Sequence, residues 1–111
     1  MNDKKNKKIY SVEGVKISSV SSGMYNNKRL DLSIIEINST ASVAGVFTKN
    51  KAKSASVLIS QENLKKNNPR FLIVNAGNAN AGTGKDGYND AVKYCQSLAD
   101  KSNCSLDDIL V

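Results

Sequence analysis

The run Phe71-Leu72-Ile73-Val74 empties directly into Asn75-Ala76-Gly77-Asn78-Ala79-Asn80-Ala81-Gly82-Thr83-Gly84, and no other stretch restricts the fold as much. A short continuous apolar run of this kind predicts a buried strand. Four of the seven glycines, Gly77, Gly82, Gly84 and Gly87, then fall within eleven residues. They supply backbone conformations that a Cβ forbids, and the asparagines between them can hydrogen-bond that backbone. The expectation is a strand ending in a tightly folded loop that sits beside something using its shape.

Beyond the loop, Tyr88, Ala91, Val92, Cys95, Leu98 and Ala99 recur at three- and four-residue steps, which predicts an amphipathic helix. Ser105 followed by Asp108 reads as a capping box with a shorter acidic arm, and Ile109 to Val111 as a terminal strand. Upstream the pattern is β-prone. Strands are predicted over Ile9 to Val12, over Val15 to Val20 after a turn or bulge at Gly14, and over Leu30 to Ile37. In the last of these Leu30, Leu32 and Ile34 share one face, with Asp31, Ser33 and Glu36 off it. Further strands are expected at Val43 to Thr48 and Val57 to Ile59, either side of the basic loop 49–53. Ser60 then caps one helical turn, ended by the polar segment 65–69 because the residue before Pro69 avoids the helical region. Strands outnumber helices, so the economical architecture is α/β or α+β, one well-defined helix packed on a sheet.

The length of 111 residues with 40% apolar content suits a single globular unit over residues 9–111, preceded by a flexible basic tail at 1–8. No signal-peptide pattern follows the tail and no run is long enough to span a bilayer, so a cytoplasmic location and no membrane partner are expected. The net charge of +6 suggests an anionic partner, but four of the sixteen basic residues lie in the tail and the rest are scattered. Aromatic residues make up only 5%, so no basic stripe is interleaved with stacking platforms and no nucleic acid is expected. A small basic module that binds anions or nucleic acid on its own is the competing reading.

Chemistry is scarce in the pattern. A phosphate loop aligned on Gly84-Lys85 has Ala79 in place of its first glycine and Asp86 in place of its hydroxyl, and that aspartate would repel the anion. The dinucleotide fingerprint fails because Gly77-Asn78-Ala79-Asn80 lacks the second glycine. With no histidine, triads and zinc sets are excluded, and Cys95 and Cys104 have neither metal nor redox spacing. Asp107-Asp108 are adjacent acids at a helix start, suited to the helix dipole rather than to paired catalysis. No catalytic, substrate-binding or metal-binding residue is assigned within 1–111, and no cofactor is expected.

Several stretches together resemble the bifunctional ornithine acetyltransferase/N-acetylglutamate synthase family of arginine biosynthesis. They are Lys28-Arg29-Leu30-Asp31-Leu32, Ala44-Gly45-Val46-Phe47-Thr48-Lys49-Asn50, Val57 to Leu64, and above all Val74 to Gly84 with Gly87 and Asp90-Ala91 following. One departure is Gly82, where many relatives carry cysteine. The resemblance covers about Gly14 to Val111 and marks the chain as the front of an α chain. It implies a mixed α+β sandwich of the ornithine acetyltransferase/DmpA-like fold, incomplete in this chain. It also implies ping-pong transfer of acetyl from N-acetylornithine to glutamate through a threonine, with acetyl-CoA a donor for some members. In the family that threonine is freed by self-cleavage of an Ala-Thr bond, giving α and β chains in a heterotetramer. Its α-amine can serve as base, and a Thr-Gly pair matching positions just after Val111 holds the oxyanion. The resemblance therefore implies that residues 1–111 are inactive alone, with the remainder of the polypeptide as partner. Asn75, Gly77, Asn78 and Asn80 are expected as a structural loop near the site rather than as substrate contacts.

Overall fold

The computed structural model describes residues 8–111. Its elements are β1 (Val15–Val20), β2 (Leu32–Ile37), α1 (Ala55–Lys66), β3 (Phe71–Asn75), α2 (Gly84–Ser102), a 3-10 turn (Leu106–Asp108) and β4 (Ile109–Leu110). The strands form one sheet in the order β1-β2-β3-β4, with the first two junctions antiparallel and the β3–β4 junction parallel. The mixed α/β class expected from the sequence is the one the chain adopts. β3, α2 and β4 make a strand-helix-strand unit, the connection that parallel neighbours require.

The period-two alternation of the strands decides which residues meet the helices. Phe71 and Ile73 of β3 and Ile109 of β4 are buried with Ala55 and Ile59 of α1 and Ala91, Cys95 and Ala99 of α2, and Leu32 and Ile34 pack against that cluster. The buried residues of α2, Gly87, Ala91, Cys95 and Ala99, are small and let it lie close to α1. Cys95 is fully buried within this core, as its place in the periodic pattern predicts. Ser105 and Asp108 form the expected reciprocal cap: Ser105 Oγ accepts from the Asp107 amide, and the Asp108 carboxylate accepts from the Ser105 amide at 2.9 Å.

Four expectations are corrected. Residues 9–12 form no strand. Ile9 is 88% exposed and pairs with no strand among the described residues, and the chain turns from Val12 to Val15 through Gly14 at φ +78°. Residues 43–48 are irregular, with the Val43 amide taken by the Asn68 side chain instead of a neighbouring strand. Val57 to Ile59 are helical: Ser54, not Ser60, caps α1, and Ile59 lies on its buried face. On β2, Leu30 lies outside the strand and is exposed, Asp31 is buried, and Glu36 shares the face of Leu32 and Ile34 but at the sheet's end, where Lys16 and Arg70 meet it. The basic tail lies outside the described residues except for Lys8, whose ammonium sits 5.2 Å from the Tyr10 ring centre.

The opposite face of the sheet, with Ile17, Ile35, Leu72, Val74 and Leu110, carries no helix among the described residues. Ile17 is 63% and Val74 46% exposed there. No helix among the described residues is long and apolar enough to cross a membrane.

Candidate functional site

Because β3 and β4 are parallel, their carboxyl ends open at the same end of the sheet, where α/β folds place ligands. A cleft of about 340 Å³ opens there, bordered by Ser56 at the start of α1, Val74 and Asn75 at the end of β3, Asn78 and Ala79 of the loop, and Val111. A second hollow, of about 260 Å³ near Gly14, Glu36 and Arg70, lies by the other end of the strands. Its acid is already met by Lys16 at 3.6 Å and Arg70 at 3.8 Å, so its charges answer one another.

The four residues expected from the sequence to form the loop divide into two pairs, and Asn75 is corrected to the last residue of β3, paired with Leu32. Asn75 is half-buried and Asn78 exposed, and both border the cleft. Asn78 also folds the loop on itself, its Oδ1 accepting the Asn80 amide at 3.1 Å. Gly77 and Asn80 hold the loop in shape. Gly77 has φ +106°, and the Tyr25 ring lies where its Cβ would stand, 2.9 Å away. Asn80, also left-handed at φ 47°, is buried; its Nδ2 donates to Gly87 O at 2.7 Å and its Oδ1 accepts from Thr83 Oγ1 at 2.6 Å. Asn80 Oδ1 and Thr83 Oγ1 occupy the space that a Cβ on Gly87 would take. The last two glycines of the cluster, Gly84 and Gly87, already lie in the first turn of α2.

Asp31 supports this loop from beneath, a role its place in the β2 pattern hides. Its carboxylate accepts the amides of Ser22 at 2.6 Å and Met24 at 2.9 Å, and its carbonyl accepts the Ala76 amide at 2.8 Å. The Ser22 amide chiefly, with Met24 and Tyr25 adding to it, holds the carboxyl below its ordinary pKa of 3.8. The turn so formed carries Tyr25, which sits over Gly77 and under the Arg29 guanidinium, 4.8 Å from the ring centre.

Further along α1 from Ser56, two buried polar side chains turn onto residues 106–111. Asn63 Nδ2 donates to Leu106 O at 3.2 Å and Ile109 O at 2.8 Å. Ser60 Oγ accepts the Val111 amide at 3.0 Å and donates to the Val111 main-chain oxygen at 2.9 Å. The acids Asp107 and Asp108 tie the same two segments together, Asp107 to Lys66 at 3.6 Å and Asp108 to the Asn67 side chain at 2.6 Å. Burial pushes the Cys95 thiol up to about 11, which keeps it protonated and inert near neutral pH.

The ArgJ family model matches residues 16–111. Among curated proteins, the arginine biosynthesis bifunctional protein ArgJ of Psychrobacter arcticus is 42% identical over 102 residues, covering 92% of this chain and 25% of that protein. The protein of the same description from Geobacter sulfurreducens is 38% identical over 101 residues, 91% of this chain and 26% of that one. The chain thus spans about a quarter of the length of these relatives. Two solved structures share the fold. Ornithine acetyltransferase of Mycobacterium tuberculosis, solved with ornithine, has a TM-score of 0.80 at 30% identity over 89% of this chain and 54% of that one. The Bacillus halodurans protein ArgJ has a TM-score of 0.82 at 32% identity over 89% of this chain and 52% of that one. With a match running from β1 to its last residue, and a sheet and helices that superpose on solved relatives, this chain belongs to the ArgJ family.

Proposed function

We propose that residues 9–111 are the amino-terminal part of an acetyltransferase that moves acetyl from N-acetylornithine to glutamate, and that they do not turn over alone. The observation that carries this reading is the family match over 16–111 in a chain a quarter as long as its relatives. The bare apolar face of the sheet supports it, because a two-layer fold ordinarily covers such a face with a further layer. In this reading the remaining polypeptide supplies a threonine nucleophile released by self-cleavage, which takes the acetyl group and passes it on by a ping-pong route. That polypeptide also supplies the oxyanion donors and the contacts to substrate. The α and β chains assemble as a heterotetramer in the cytoplasm, with acetyl-CoA as a further possible donor to assay. Asn75, Gly77, Asn78 and Asn80 shape the floor beside that centre.

The test is a chimera in which residues 14–111 replace the matching segment of the Psychrobacter arcticus relative. Formation of N-acetylglutamate from N-acetylornithine and glutamate is expected from the chimera and not from residues 1–111 alone. A folded chimera without transfer overturns the acetyltransferase reading, and transfer by the 111 residues alone overturns their dependence on a partner.

A further inference from the structure

β4 lies at the margin of the sheet, and a marginal strand ordinarily leaves a row of main-chain groups without partners. Here the groups of Ile109 and Val111 on that row are met by side chains of a helix. Ser60 is 6% and Asn63 2% exposed, and they occupy positions on α1 where an ordinary core-facing helix carries leucine or alanine. Apolar packing there would hold α1 on the sheet, and β3 would still pair β4, but the outward main-chain groups of Ile109 and Val111 would have no such partner. A hydroxyl that accepts from the amide and donates to the oxygen of one residue fixes the rotation of that residue's backbone. An amide donating to two oxygens three residues apart fixes its register.

Ser56, Ser60 and Asn63 follow one another along one side of α1 at steps of four and three residues. Asn63 meets Ile109 and Ser60 meets Val111, so α1 and β4 run in opposite directions. Ser56 lies about 6 Å further along the helix, roughly the length of two extended residues. It borders the cleft that Val111 also borders.

We infer that Ser60 and Asn63 are positioning residues for the reaction of the whole enzyme, fixing the backbone at Val111 so that the main chain continuing from it enters the cleft beside Asn75 and Asn78. The inference rests on the acetyltransferase reading. Removing the Ser60 hydroxyl leaves the core intact but frees the Val111 peptide, and a displacement of about 1 Å in a reacting site costs up to a hundredfold in rate.

In the chimera, Ser60→Ala is expected to lower kcat by about tenfold or more while KM stays within about twofold, and Ser60→Thr, which keeps a hydroxyl, to recover most of the loss. Unchanged kcat in Ser60→Ala overturns the inference, as does a loss that tracks thermal stability and is not recovered by threonine. Absence of transfer in the folded, unsubstituted chimera removes the acetyltransferase reading, whereas transfer that survives Ser60→Ala removes only the positioning role. A second readout needs no activity. In the 111-residue chain, Ser60→Ala must speed hydrogen exchange at the Val111 amide while the β3 amides keep their protection, and Ser60→Thr must not; equal exchange in all three overturns the inference.

Discussion

Asp31 and Gly77 hold the same loop by different physics, and each gives a measurement. The Asp31 carboxyl is held below its ordinary pKa by main-chain amides, Ser22 foremost, so the folded state prefers it ionised. A lowered folded pKa contributes stability that is fully present above the unfolded value of 3.8 and is lost as pH falls through the lower folded value. Asp31→Asn is therefore expected to lower Tm at pH 7, and the gap to the unsubstituted chain to close as the pH is taken well below 3.8; a gap independent of pH would show that the charge plays no part. Gly77→Ala meets two obstacles, the positive φ and the Tyr25 ring. A destabilisation of roughly 1–3 kcal/mol is expected in urea titrations. Repeating the substitution on Tyr25→Ala separates the two, since the smaller side chain removes the clash and leaves the backbone cost. Gly77, Asn78 and Asn80 are visible as loop residues from their types alone, whereas Asn75, of the same type, closes β3 opposite Leu32. The partners that divide their labour, Tyr25 and the Gly87 cradle, come from distant or helical positions that local pattern does not announce.

Among the elements, β3 and α2 were legible because one apolar run and one apolar period match their environments, and the Ser105–Asp108 cap because its two residues lie three apart. α1 was not. Its buried positions are Ala55, Ile59, Ser60 and Asn63, so half of its inward face is polar and the helical period is masked. The β-branched Val57 and Ile59 then read as a strand, a propensity that the Ser54 cap and the pull of the core override. The polar residues that spoil the pattern are the ones that bind β4, so the same feature that hides the helix joins it to the sheet. Asn63→Ala leaves the oxygens of Leu106 and Ile109 without this donor. A loss of about 2 kcal/mol or more is expected from chemical denaturation, because buried unsatisfied groups cost more than the net worth of the bonds removed. The exposed Lys93–Asp90 pair on α2 serves as the control, and Lys93→Ala is expected to change stability by less than about 0.5 kcal/mol. If both substitutions cost the same, burial of the α1 amide contributes nothing special.

At the scale of the molecule, one face of the sheet is packed and the other is bare, and the sequence accounts for both. Strands β2 and β3 carry apolar residues at successive positions, as in Ile34-Ile35 and Phe71-Leu72-Ile73-Val74, so they present apolar residues to both sides of the sheet. Such doubling spoils a strict period of two and is the pattern of a sheet apolar on both sides. The helices take one side; Ile17, Ile35, Leu72, Val74 and Leu110 are left on the other. Charge does not protect that side, since the net +6 is dispersed over the whole chain. The 111-residue chain is therefore expected to self-associate through this face, with a sedimentation coefficient that rises with protein concentration. Ile17→Lys and Val74→Lys place charge on the exposed apolar positions of this face without touching the packed core, and together they should return the chain to a monomer with little change in far-ultraviolet dichroism. A chain that stays monomeric across the accessible concentration range, or one whose association is indifferent to both lysines, would mean that the bare face is not adhesive. The same two substitutions in the acetyltransferase chimera should instead damage folding, because there the proposed remainder of the polypeptide supplies the missing layer and a buried lysine would be left without a partner.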